Sequence, residues 1–138
     1  VSEGQDHVTW AGKKVLVVDD DMRNVYATSI ALESRGMTVL FAENGLTCLS
    51  ALNEHPDIDL ILMDIMLPEM DGYETMRMIR NTPGLESLPI IALTAKAMKE
   101  DKEKCLNAGA SDYMSKPVKL EQLFDRIQTW LNADRWQV

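Results

Sequence analysis

Short apolar runs alternate with longer amphipathic segments along this chain. Continuous runs fall at residues 14–18, 38–42, 58–63 and 89–93, and a weaker one at 112–115. Runs this short, β-branched and bounded by turn formers predict strands covered on both faces. Helix-length segments lie between them. Residues 22–35 place Val25, Ser29 and Leu32 on one stripe, with Gly36 as a natural stop. Residues 46–54 repeat Leu at 46, 49 and 52, and residues 73–80 follow an Asp71-Gly72 pair in which Asp71 is a natural N-cap. Residues 98–108 are closed by Gly109. Residues 120–131 carry Leu120, Leu123, Phe124, Ile127, Trp130 and Leu131, the clearest amphipathic pattern in the chain. Five β-α units in strict alternation predict a parallel sheet with right-handed crossovers and helices on both faces.

Length agrees with one domain: 138 residues can bury a core but leave no room for a second. Residues 1–12 are polar, hold two glycines and read as a linker or tail; residues 13–132 form the domain, and 133–138 a C-terminal tail. The chain opens on Val1, so the expectation is a segment of a longer protein, although a processed or engineered start would look the same. The net charge is −8, from 22 acidic and 14 basic side chains. That balance argues against nucleic acid and anionic lipid as partners. No apolar run reaches the roughly 18 residues of a membrane span, and no signal peptide opens the chain. Cys48 and Cys105 read as separate buried thiols in a reducing compartment, which together with the charge predicts a cytoplasmic domain with no direct membrane contact. Two cysteines and two isolated histidines show no zinc-ligand spacing.

In an open parallel sheet, ligands bind beyond the carboxyl ends of the strands. Polar residues close those strands here: the first ends in Asp19-Asp20-Asp21, the third in Asp64 and the fourth in Thr94, and the fifth runs into Lys116-Pro117. Clustered carboxylates repel and push at least one pKa upward. A hard divalent cation with oxygen ligands, best Mg²⁺, relieves that repulsion. A lysine and a hydroxyl beside it suggest a phosphoryl group, with Asp64 as the nucleophile. Each feature alone has an ordinary reading as a turn, a helix cap or a loop; their convergence on one rim carries the argument.

These residues resemble the receiver domain of two-component response regulators. Val15-Leu16-Val17-Val18-Asp19-Asp20-Asp21 is similar to the family's first-strand acidic pair, and the stretch from Leu62 through Asp64 to Asp71-Gly72 to its phosphoacceptor strand and loop. Leu93-Thr94-Ala95 and Ser115-Lys116-Pro117 complete the pattern. The resemblance implies a single doubly wound (βα)5 domain, its five-stranded parallel sheet in flavodoxin-like order 2-1-3-4-5. It implies that Asp64 accepts phosphate from the phosphohistidine of a histidine kinase or histidine phosphotransfer domain. Mg²⁺, with Mn²⁺ as a substitute, would be held by Asp20 directly, Asp19 through water, Asp64 and the Met66 carbonyl. Thr94, small Ala95 and Lys116 would meet the phosphoryl group, Tyr113 would move inward with Thr94, and the bond before Pro117 would be cis. Asn24 and Lys96-Ala97-Met98 are most similar to receivers attached to hybrid sensor kinases, implying attachment to an upstream kinase domain and the cytoplasmic part of a membrane-bound sensor.

Two further expectations come from the residues. The 98–108 segment has apolar residues only near its ends and is expected to be weakly anchored and able to shift. Apolar Met66 and cationic Lys96 are expected to prolong the phosphoryl lifetime. Three alternatives remain at this stage: a haloacid-dehalogenase-like phosphatase, which lacks its late acidic pair here; a flavodoxin-type electron carrier, which lacks its phosphate loop; and an unphosphorylated receiver-like interaction module. The domain itself is expected to be a phosphoacceptor rather than a turnover enzyme.

Overall fold

The computed structural model describes residues 10–67, 69–95 and 98–136, with side chains described as far as Leu131. Five strands, β1 (Lys14–Val18), β2 (Thr38–Ala42), β3 (Leu60–Asp64), β4 (Ile90–Thr94) and β5 (Asp112–Ser115), form one parallel sheet in the order β2-β1-β3-β4-β5. Among the described residues five helices alternate with them: α1 (Met22–Glu33), α2 (Gly45–Glu54), α3 (Gly72–Arg80), α4 (Lys99–Ala108) and α5 (Leu120–Trp136). No helix among these residues is long and apolar enough to cross a membrane.

Strand alternation divides the core into two layers. Val15, Val17, Leu60, Leu62, Ile91, Leu93 and Met114 face one side, where Val25 and Leu32 of α1 and Leu123, Ile127 and Leu131 of α5 cover them. Leu16, Val18, Ile61, Met63, Ile90 and Ala92 face the other, beneath α2, α3 and α4. Cys48 and Cys105 are buried free thiols in this second layer, and burial pushes the Cys48 thiol up to about 12.

Three helix starts have side-chain caps. Asp21 accepts from the Arg23 N–H, Asn44 and Thr47 form a reciprocal capping box, and Asp71 accepts from the Glu74 N–H at 2.9 Å. The α4 start has no side-chain cap bond.

Several boundaries differ from the sequence expectation. The third strand starts at Leu60, because Ile58 is taken by a turn to His55, and it ends at Asp64 as expected, opposite Leu93 of β4. The fourth starts at Ile90 and ends at Thr94 as expected, opposite Ser115 of β5. The first helix stops at Glu33, and α5 extends to Trp136. In α2 the inward stripe is Gly45, Cys48 and Leu52, and Leu46 is exposed. A Cβ at Gly45 would collide with Met70 and Thr75 of the neighbouring segment, so the close approach there sets which face turns inward.

The segment before β1 is tied down at Trp10, which the sequence places in the polar head. Its indole N–H donates to Gln128 Oε1 at 2.7 Å, its ring meets Phe124 edge-on, and its backbone N–H donates to the Arg35 carbonyl. The Arg35 guanidinium lies against both rings, 4.4 Å from the Phe124 centroid.

Candidate functional site

The sheet reverses its winding at β1: the chain passes from β1 outward to β2, then returns to β3 on the other flank. Loops leaving β1 and β3 therefore diverge and open a crevice at the strands' carboxyl ends. Buried polar side chains gather there. Among the described residues the buried polar or charged ones are Asp19, Asp64, Thr75 and Thr94; Asp64 and Thr94 end strands at this rim, and Asp19 directly follows one.

Asp19 follows β1, its backbone N–H extending the ladder to the Ala42 carbonyl at 3.0 Å, and its Oδ1 accepts from the Asp21 N–H. Asp64 ends β3 and accepts from the Met66 N–H at 3.2 Å. Asp20 is exposed beside them, and the three residues have carboxylate oxygens within 4.8 Å of one another. Lys116 enters from β5: its Nζ lies 3.1 Å from Asp64 Oδ1 and 3.7 Å from Asp19 Oδ2. Its backbone N–H donates to the Thr94 carbonyl at 2.7 Å, and the peptide bond to Pro117 is cis.

Burial pushes the Asp64 carboxyl above the usual carboxylate range, and the Asp19 charge pushes the same way. The Lys116 hydrogen bond and charge and the Met66 N–H oppose this without overcoming it. All-oxygen donors at this spacing, one of them open to water, can hold a hard divalent cation of the Mg²⁺ type.

The remaining predicted residues fall around this cluster. Thr94 is buried at the end of β4, and Ala95 beyond it is exposed. Met66 is 73% exposed at the rim. Tyr113 is half-buried on β5 and packs against the layer under α2, α3 and α4. Lys96 lies outside the described residues.

Sequence reasoning missed Gly72 as a site residue. Its N–H donates to the Ile65 carbonyl, and a Cβ there would sit 2.7 Å from the Asp64 carbonyl oxygen and 2.8 Å from Ile65 Cα. Only a residue without a side chain lets α3 start so close to the strand that ends in Asp64. The Asp-Gly pair was visible but reads equally as an ordinary turn. Also missed was the outward stripe of Met22, Tyr26 and Ile30 on α1, all exposed, whose four-residue spacing was the available signal.

Known proteins carry the same arrangement. The chain is 36% identical over 136 residues to the sensor histidine kinase GacS of Pseudomonas protegens, covering 94% of this chain and 14% of that protein. It is 36% identical over 119 residues to the polar-differentiation response regulator DivK of Brucella anthropi, covering 86% of this chain and 96% of that one. The chain thus spans about a seventh of the kinase relative's length and nearly all of the single-domain one. Among solved structures, it superposes on a putative response regulator of Chloroflexus aurantiacus with a TM-score of 0.82 at 31% identity, covering 87% of this chain and 98% of that one. The receiver domain of sensor histidine kinase PA1611 from Pseudomonas aeruginosa matches with a TM-score of 0.80 at 38% identity, covering 88% and 99%; that structure has a magnesium ion coordinated in its active-site cleft. Residues 15–128 match the response regulator receiver domain family, and with the fold and the carboxylate rim in agreement, this chain belongs to it.

Proposed function

We propose that this domain takes a phosphoryl group from a partner's phosphohistidine onto Asp64 in a Mg²⁺-dependent transfer and changes conformation through Thr94 and Tyr113. The observation that carries the reading is the rim itself: three carboxylates within 4.8 Å and a lysine 3.1 Å from the one that ends β3. In the transfer an Asp64 oxygen bonds to phosphorus as the P–N bond breaks, and the imidazole leaves with the electron pair. A bound Mg²⁺ supplies neutralisation of the carboxylate and phosphoryl charge, and Asp19, Asp20, Asp64 and the Met66 carbonyl are the groups that would hold it. Lys116 is placed to exchange its contact with Asp64 for one with a phosphoryl oxygen, and the Thr94 hydroxyl to donate to another. Exposed Ala95 leaves the approach to Thr94 open.

The partner is a histidine kinase or histidine phosphotransfer domain. The exposed Met22, Tyr26 and Ile30 stripe on the helix that follows Asp19-Asp20-Asp21 offers such a partner an apolar footing beside the acidic rim. Relatives with kinase names support a receiver that works attached to, or alongside, a sensor kinase.

The test is intact mass after incubation with Mg²⁺ and acetyl phosphate. The expected result is one phosphoryl adduct, absent without the metal and absent in Asp64→Asn. No adduct, or sustained turnover of phosphate esters, refutes the proposal.

A further inference from the structure

The α4 helix is held mainly from its flanks. Of its ten residues, Lys-Glu-Asp-Lys-Glu-Lys-Cys-Leu-Asn-Ala, two are buried, Cys105 and Ala108. Its first turn has no side-chain cap bond, and Met98 and Leu106 are exposed. A helix turns about 100° per residue, so Lys102 and Lys104 project to opposite sides of the buried Cys105–Ala108 face. Each reaches an aromatic ring on a different element. Lys104 Nζ lies 4.6 Å from the centroid of the Tyr73 ring in the first turn of α3, and Lys102 Nζ lies 5.5 Å from that of Tyr113 on β5.

The two attachments are unequal. Tyr73 is buried in the same core cluster as Cys105, so the α3 side holds α4 by packing as well as by the Lys104 contact around a fixed ring. On the β5 side the ring is Tyr113, half-buried at the sheet edge and the residue that the switch would turn inward.

We propose that Lys102 is a positioning residue for the switch: its ammonium holds the Tyr113 ring in its half-buried position and ties α4 to β5 in the resting state. This rests on the reading of Tyr113 as a switch residue. An inward turn of the ring takes it from Lys102, frees the β5 side of α4 and leaves the helix pivoting on Tyr73 and Cys105. A contact made in one state and lost in the other biases the equilibrium by its own strength. An exposed cation–π contact is worth a factor of about two to five in an equilibrium constant. Lys102 is already solvated, so little is lost on its release.

Three variants separate this role from ordinary surface packing. Lys102→Met keeps the apolar stem and removes the charge, Lys102→Arg keeps the charge, and Lys104→Met removes the other attachment. Amide exchange of α4 is measured together with the fluorine resonance of Tyr113 in 3-fluorotyrosine-labelled protein, assigned with Tyr113→Phe. Both are recorded before and after phosphorylation with Mg²⁺ and acetyl phosphate. In the unphosphorylated protein Lys102→Met should speed α4 exchange by about two- to fivefold and move the Tyr113 resonance part-way towards its phosphorylated position. Lys102→Arg should match wild type. Once phosphorylated, Lys102→Met and wild type should coincide. Lys104→Met should speed exchange in both states without moving the Tyr113 resonance. The proposal is overturned if Lys102→Met matches wild type before phosphorylation, or speeds exchange equally in both states, while the wild-type Tyr113 resonance responds to phosphorylation. A wild-type resonance that does not respond removes the switch reading itself, and this proposal with it.

Discussion

Replacing Asp64 by Asn should stabilise the metal-free fold, which is the opposite of what removing a paired surface carboxylate does. At an effective dielectric constant of about 20, charges 4 Å apart interact by about 4 kcal/mol. Asp64 is repelled at that scale by Asp19, within 4.8 Å, and attracted at that scale by Lys116, at 3.1 Å. These largely cancel, and exposed Asp20 adds little because water screens it. Desolvation then decides the sign: Asp64 is 3% exposed, and burying one carboxylate costs several kcal/mol before compensation. Asparagine keeps an oxygen for the Met66 N–H and carries no charge.

A net gain of about 1–3 kcal/mol is expected at neutral pH in chelator, or roughly 3–10 °C in melting temperature. The raised Asp64 pKa gives the pH dependence. A carboxyl whose folded-state pKa is raised contributes its full stabilisation below its unfolded value of about 3.9, and that contribution is lost as pH rises through the folded value. The advantage of Asp64→Asn should therefore shrink as the solution is acidified. Mg²⁺ should offset this gain: at 100 times its dissociation constant a bound ion would add about 2.7 kcal/mol to wild type and far less to a variant lacking a ligand. Calorimetric melts of both proteins, in EDTA and across a Mg²⁺ series, read all of this. A variant that melts below wild type in EDTA, or equal Mg²⁺ stabilisation of both, refutes the reasoning.

Other substitutions probe the supports of the site. Gly72→Ala forces a Cβ onto the backbone of Asp64 and Ile65, which cannot yield as a flexible side chain could; a loss of about 1–3 kcal/mol in urea unfolding and reduced adduct formation in intact mass are expected. Asp112 is pushed up by burial, but bonds from the Trp130 indole, Arg126 and its neighbour's N–H outweigh this and hold its pKa below the usual range. Its contribution is present above the unfolded value of about 3.9 and lost as pH falls through the folded one. Asp112→Asn should thus cost about 1–3 kcal/mol at pH 7 and progressively less in acid, read from urea midpoints by tryptophan fluorescence. Met66→Asn places an amide that can orient water beside Asp64; decay of the phosphoryl adduct should quicken by up to about tenfold, the worth of one hydrogen bond, and an unchanged decay counts against the lifetime role.

The strand runs were legible because both faces of a central parallel strand are covered, so Val15–Val18 and Leu60–Met63 have no polar alternation to obscure them. Strand starts were less legible: Ile58 is apolar like the run it opens, but a turn to His55 takes it and the third strand begins at Leu60, whereas the ends at Asp64 and Thr94 could be read. The carboxylate rim followed from strand order and could be named residue by residue. The convergence of Lys116 on both buried carboxylates depends on backbone geometry, which residue spacing does not encode. The leucine repeat of α2 marks its inward side at Leu52 and, partly, Leu49, but Leu46 is exposed, and Gly45, a residue without a side chain to signal it, makes the close approach instead. Trp10 was hidden for a simpler reason: a single aromatic in a polar stretch has no periodicity, and its partners come from the turn after α1 (Arg35) and from distant α5 (Phe124 and Gln128).

Trp10 also bears on where this fold can be cut. Family similarity begins at residue 15 and the first strand at Lys14, so excision by homology would start there and discard the indole. The shortened polypeptide would leave Phe124 without its edge-on partner, Gln128 without its donor and Arg35 with one ring in place of two. A trimming boundary upstream of Trp10 keeps the distal ends of α1 and α5 fastened together. One placed at the first strand yields a protein whose melting and proteolysis report the missing plug rather than the receiver.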